Sequence, residues 1–249
     1  MSVISVELVP RSVAGLLDDL QVVKSFPQVS AINIPDLLSC PLHSWDAAKI
    51  AKECFPRAIA HVRAIDINPH ERSIFVDRIK ATGISEILVV HGDIPQQFNH
   101  PIYSTTTLQA IEWCRELFPR EVRVYAAIDP YRHGLRKELD YAKEKIMAGA
   151  DGFFTQPFFD LRFLEIVAEQ LHSHQVFWGV TPVVVIKAQG YWENKNNVVF
   201  PKTFSPTLEW NRRFAQEVLH FLTRFPQHDV YLMPIKVDVR TYLEGIFLE

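Results

Sequence analysis

The chain has 249 residues, 48% of them hydrophobic and 22% charged, enough to enclose a sizeable core and close to the usual length of one (β/α)8 barrel. A formal net charge of −3 and a pI of about 6.4 exclude a general nucleic-acid binder and a polybasic membrane-surface protein. They leave room for a small anionic ligand held by local basic residues.

In chain order, short apolar runs recur as candidate strands: "VISVELV" (3–9), "VSAINI" (29–34), "AIAHVRA" (58–64), "EILVVHG" (86–92), "VRVYAAI" (122–128), "GFFTQ" (152–156), "VFWGVTP" (176–182) and "DVYLMPI" (229–235). They are apolar nearly throughout, as strands buried on both faces should be. Amphipathic segments lie between them, among them 69–83, 105–117, 134–149 and 159–173. Pro69 suits a first helical turn, and Gly83 and Gly149 suit helix C-caps. Strand and helix alternating eight times predict an α/β fold, a closed parallel (β/α)8 barrel over 1–249 as one domain, with a doubly wound open sheet as the alternative. The polar, Pro-containing stretch "YWENKNNVVFPKTFSPT" (191–207) reads as irregular, a lid, a binding loop or a mobile segment.

Cys40, Cys54 and Cys114 are far apart, odd in number and without metal-ligand spacing, so a reducing cytoplasm and no metal site are expected. "MSVISVELVPRS" lacks the pattern of a secretory signal, and no apolar run approaches the roughly 20 residues of a membrane helix. A soluble cytoplasmic protein follows as the expectation.

In a barrel, catalytic groups sit where strands end and βα loops begin. Glu7 lies inside the first apolar strand, Asn33 ends the second, and His61 and Arg63 alternate in the third, followed by Asp66 and Asn68. His91-Gly92-Asp93 ends the fourth, Asp129 and His133 follow the fifth, and Gln156 ends the sixth. These positions converge on one rim. Simpler roles stand beside the chemical ones: Asp129 and Asp160 as N-caps, and His91 as a hydrogen-bonded structural residue. Glu7 is the hardest to explain structurally. A carboxylate between Val6 and Leu8 costs several kcal/mol unless it is paired, for instance with Arg63, or protonated. Protonated, it suits a general acid.

The segments "VELVPRS" (6–12), "ILVVHGDIP" (87–95), "KIMAGADGFFTQPFFD" (145–160) and "GVTPVV" (179–184) stand in an order and spacing that resembles the methylenetetrahydrofolate reductase family. "AINIPD" and "HVRAIDIN" resemble its second and third strands. The resemblance spans the chain up to about residue 190. It implies a flavin-bearing barrel that reduces 5,10-methylenetetrahydrofolate to 5-methyltetrahydrofolate with electrons from NADH or NADPH through FAD.

By that likeness Glu7 is the general acid on the folate, Asp93 the carboxylate beside flavin and pterin, and Gln156 the amide that hydrogen-bonds the folate. Pro157 then turns the chain out of the strand. Asn33, His61, Gly92, Asp93, Tyr103, Ser104, His133, Glu138 and Lys143 match cofactor contacts, and Trp192 an aromatic that stacks on ligands. His91 stands where the family usually has Arg, and the segment between Ala127 and Lys143 is shorter than usual. Those departures keep a flavin-free reductase open. So do two other readings: a folate-binding methyl-transfer or demethylation component, and a non-catalytic barrel subunit. The expected partner is a tetrahydrofolate derivative, with no nucleic acid and no membrane, and with homo-oligomerisation left open.

Overall fold

The computed structural model describes residues 2–94 and 100–248. Each apolar run forms a strand: β1 (Ile4–Glu7), β2 (Ala31–Ile34), β3 (Arg57–Arg63), β4 (Glu86–Val90), β5 (Arg123–Ile128), β6 (Gly152–Pro157), β7 (Gln175–Val180) and β8 (His228–Leu232). All neighbours pair in parallel in the order β1 to β8, and β1 closes on β8 through Ser5–Tyr231 and Val6–Leu232. The sheet is a closed barrel, not the open alternative. Around it run α1 (Val13–Lys24), α2 (Ser44–Lys52), α3 (Arg72–Thr82), α4 (Thr107–Leu117), α5 (Leu135–Met147), α6 (Leu161–Gln170), α7 (Ile186–Asn196), α8 (Leu208–Leu222) and α9 (Val239–Phe247), with one 3-10 turn at Ala64–Asp66. No helix among the described residues is long and apolar enough to cross a membrane.

Strand alternation divides the core in two. Outward residues such as Val6, Ile32, Ala60 and Val89 pack against the helices, which contribute stripes like Leu16, Leu20 and Val23 of α1. Inward residues Ala31, Ile59, Leu88, Tyr125, Phe154, Phe177 and Tyr231 fill the barrel itself. Phe154 and Phe177 stack with centroids 4.1 Å apart, and Tyr125 meets both edge-on.

Below this layer the N-terminal end of the barrel is tied by polar groups. The Arg57 guanidinium donates to both Glu86 oxygens at 2.7 and 2.5 Å, and the Tyr125 hydroxyl donates to Glu86 at 3.1 Å. Gln175 Nε2 donates to Asp229 at 2.7 Å, whose other oxygen accepts from the Val3 amide. Aromatic packing and this network occupy the lower interior, so chemistry is left to the C-terminal mouth.

Local signals work as read at several helix ends. Asp160 caps α6 by accepting from the Arg162 amide at 2.9 Å, and Gly83 closes α3 with φ of 69°. Asp129 is not an N-cap. Its carboxylate accepts from the Tyr131 amide in a local turn, and α5 starts after Gly134. Pro157 does not end β6 by exclusion; it is the last strand residue, pairing with Gly179 after a register shift from Phe154. Residues 191–196 are helical within α7, so the irregular stretch begins only at Asn197, whose φ of 55° terminates that helix.

Gly179 is where β6 and β7 come closest. A Cβ there would lie 2.5 Å from the Thr155 carbonyl oxygen, 2.8 Å from Met233 Cε and 3.0 Å from the Gln156 carbonyl carbon. Two of those atoms are backbone and cannot swing away. Gly179→Ala is expected to cost about 1–3 kcal/mol of stability in urea denaturation, the usual penalty of overpacking; an unchanged midpoint would mean that β6 gives way freely.

Candidate active site

The barrel register carries polar side chains to the mouth on neighbouring strands. Glu7 is the last residue of β1 and pairs with Asn33 of β2. Asn33 is wholly buried, and its Oδ1 lies 3.2 Å from Nε2 of His61 on β3. The Tyr231 hydroxyl on β8 donates to Glu7 Oε2. One end of the barrel thus gathers a carboxyl, an amide, an imidazole and a phenol from β1, β2, β3 and β8.

Their electrostatics follow from burial. Packing around the Glu7 carboxyl disfavours its charged form and raises its pKa to about 7, against the smaller lowering influence of the Tyr231 hydrogen bond. Burial likewise lowers the pKa of His61 to about 4, so its ring is neutral at pH 7. A neutral ring donating from Nε2 to Asn33 Oδ1 leaves the Asn33 amide donor facing elsewhere. Asn33 Nδ2 is buried and has no hydrogen-bond partner among the described residues. An orphaned donor at a barrel mouth suits a ligand acceptor.

Arg63 does not pair with Glu7. Its Nε donates to Asp66 at 2.8 Å and a terminal nitrogen to the Asp93 carbonyl at 2.7 Å. That guanidinium pins the turn after β4. Gly92 there has φ of 92°, and a Cβ would stand 3.0 Å from Ile65 and 3.1 Å from Arg63 Cβ, so glycine is required. The Asp93 side chain is exposed at this turn. Pro95, the end of "ILVVHGDIP", lies outside the described residues. Tyr103 is half-buried, tethered through its amide to the Ile65 carbonyl at 2.7 Å, and Ser104 beside it is exposed.

Gln156 is exposed at the end of β6. Across β7 its neighbour is Gly179, which in turn pairs with Tyr231. The rim therefore steps from Gln156 through a residue without a side chain to Tyr231 and Glu7. Trp192 is half-buried on α7, edge-on to Phe159 at 5.9 Å, within an aromatic cluster that includes Phe200 and Phe204.

Two sequence-based cofactor contacts have other occupations. Glu138 is fully buried: its carboxylate accepts from Arg132 at 2.8 Å, from Lys145 at 3.4 Å and from the Asp129 amide at 3.1 Å. Removing such a carboxylate from solvent demands those partners, and they leave it no free face. Lys143 is exposed, bonded to Asp140 at 2.9 Å, and lines a small cleft of about 200 Å³ between α5 and α6. His133 lies in a different, open cleft of about 800 Å³ at the start of α5, with Arg132, Arg136 and Lys137.

A model of the methylenetetrahydrofolate reductase family matches residues 42–215, most of the chain. The chain belongs to that family. Glu7 and Asn33 precede the matched span and rest on the barrel geometry. Among curated relatives, the 5,10-methylenetetrahydrofolate reductase of Buchnera aphidicola is 24% identical over 62% of this chain and 54% of its own length. That of Escherichia coli is 26% identical over 58% of this chain and 50% of its own. The chain thus matches about half the length of these family relatives. In structure, an uncharacterised protein from Clostridium thermocellum, described as binding two copies of 5-methyl-5,6,7,8-tetrahydrofolic acid, superposes with a TM-score of 0.69 at 11% identity, over 99% of this chain and 93% of its own. An oxaloacetate acetylhydrolase reaches 0.60 at 9% identity, over 94% and 75%. At such identities these likenesses show the fold alone.

Tyr231 went unnoticed in the sequence because "DVYLMPI" is an ordinary strand; only its inward parity in the strand next to β1 would have marked it. The Arg132–Glu138–Lys145 cluster was equally hidden.

Glu7 makes stability depend on pH. Its folded pKa of about 7 lies above the ordinary 4.5, so its contribution is full below pH 4.5 and is lost as pH rises through 7. His61 acts in the opposite sense across the same range, because its lowered pKa costs stability as pH falls below 6.5. The difference between wild type and Glu7→Gln isolates the carboxyl. Relative to the variant, wild type should lose on the order of 3 kcal/mol between pH 4.5 and 8 in denaturation series, and parallel curves would contradict the buried acid.

Proposed function

We propose that the protein reduces 5,10-methylenetetrahydrofolate to 5-methyltetrahydrofolate with electrons from NADH or NADPH. The observation that carries this is the Glu7 carboxyl, protonated near neutral pH at the barrel mouth beside an unpartnered Asn33 amide donor. Family membership and a folate-binding neighbour of the same fold support it.

The reaction adds a hydride and a proton to the substrate. Opening of the imidazolidine ring exposes an electrophilic iminium carbon for the hydride, and the nitrogen that leaves must take a proton. Glu7 supplies that proton. A group with a pKa near the working pH gives it up readily and is reprotonated readily. Gln156, an exposed amide on the rim, offers a donor and an acceptor to the pterin edge. Asp93 lies on the turn that Arg63 holds, where its negative charge favours the cationic form of the folate. Trp192 offers an aromatic face for stacking.

An FAD fits part of this chain. The cleft at the start of α5 carries Arg132, His133, Arg136 and Lys137 beside Asp140 and Glu144. With Arg132 paired to Glu138 and Arg136 to Asp140, His133 and Lys137 are left among the described residues of the cleft for a diphosphate, while Asn33, His61, Gly92 and Asp93 would meet the ring end. When bound, FAD supplies a two-electron relay between nicotinamide and folate. Glu138, spent on Arg132 and Lys145, and Lys143, in the other cleft, do not serve it. That loss favours a second reading, direct hydride transfer from nicotinamide to folate without flavin. An absorption spectrum of freshly purified protein separates the two: a flavin band supports the first, and colourless protein that oxidises NADH or NADPH with methylenetetrahydrofolate supports the second. Folate binding without turnover under either condition would instead indicate a non-catalytic or methyl-transfer component.

Glu7→Gln should lower the rate of folate reduction at least about 100-fold in single-turnover measurements, the usual share of a general acid, while nicotinamide binding stays intact. Gln156→Ala should weaken folate binding about tenfold, the worth of one hydrogen bond to a buried ligand, with nicotinamide affinity unchanged. Equal loss of both affinities on titration would remove Gln156 from the folate site.

A further inference from the structure

We propose that Tyr231 is a positioning residue for Glu7: its phenolic hydrogen marks Oε2 as the carbonyl oxygen of the carboxyl and leaves the acidic proton on Oε1, toward the mouth. The proposal rests on the reading of Glu7 as the proton donor.

The geometry leaves Tyr231 little freedom. It is 4% exposed and sits inward on β8, paired with Ser5 of β1 on one side and Gly179 of β7 on the other. Its ring meets Phe154 edge-on at 5.3 Å and His61 at 6.5 Å. Those rings fix the direction of the hydroxyl. Burial and the neighbouring carboxyl hold the phenol neutral, its pKa well above the ordinary value, so it keeps a hydrogen to donate to Glu7.

No other group competes for this task among the described residues. Facing Glu7 are Tyr231 from β8, His61 from β3 and the uncharged Asn33 from β2. His61 is neutral, and its nearer nitrogen is engaged by Asn33 Oδ1. Arg63 is committed to Asp66 and to the Asp93 carbonyl. Among the described residues Glu7 has Tyr231 as its hydrogen-bond partner and no basic neighbour. An isolated buried carboxyl has two equivalent oxygens and would ionise only in alkaline solution. One fixed donor makes the oxygens inequivalent and, because a carboxylate accepts more strongly than a carbonyl, brings ionisation back toward neutrality.

Tyr231→Phe keeps the ring and removes the donor. The ionisation midpoint of Glu7, followed by carbon-13 carboxyl NMR in ligand-free protein, should move up by about one pH unit, the size of one charge-assisted hydrogen bond. In turnover, the alkaline limb of the pH profile should move by the same amount, with kcat lowered about tenfold and KM unchanged. Placing 3,5-difluorotyrosine at position 231 strengthens the donor without altering the packing and should move the midpoint down, which keeps the test open if the phenylalanine variant fails to fold. A Glu7 midpoint that stays put on either replacement overturns the assignment. If wild type shows no folate reduction at all, the functional reading falls, while the midpoint comparison still decides the part played by Tyr231.

Discussion

A carboxyl group at the end of a central parallel strand is an expensive thing to fold, and the mouth of this barrel is organised around keeping it. Packing strips most of its hydration, so the Glu7 pKa is raised to about 7, near neutrality. Among the described residues no cation relieves it. Arg63, the counter-ion the sequence suggests, is turned to the β3 and β4 loops instead. Had that guanidinium reached Glu7, the carboxyl would be a permanent anion and useless as a proton source.

The lower barrel explains why the site is at one end only. Phe154, Phe177 and Tyr125 pack the interior, and Arg57, Glu86, Gln175 and Asp229 tie the strands beneath them. A sealed floor makes the interior a rigid support, so strand-end side chains are placed by register more than by loop conformation. Gly179 contributes by absence: lacking a side chain, it lets the β6 backbone at Thr155 and Gln156 approach β7.

The same physics governs the residues around the start of α5. Glu138 occupies a position that suggests ligand contact in the sequence, but Arg132 from the loop before α5 and Lys145 from further along α5 close it inside the protein. The basic groups left outside, on the first turn of α5, line a separate cleft. This arrangement of charge around α5 is separate from the Glu7 carboxyl at the barrel mouth.

The sequence by itself determined the eight strands and their parallel alternation with helices, because burial on both faces writes an uninterrupted apolar run. It also exposed Glu7 and Gln156, since polar residues in such runs need a reason, and the family likeness carried by "KIMAGADGFFTQPFFD" attached chemistry to them. Pattern fails where partners come from far along the chain. Finer local outcomes escape it too: Asp129 makes a turn with Tyr131, residues 191–196 are helical, and Glu138 is enclosed by ion pairs with residues six and seven positions away, none of which strand periodicity encodes. Only the closure of β8 against β1 put Tyr231 next to Glu7, 224 residues away, because contact across a barrel seam leaves no trace in local periodicity.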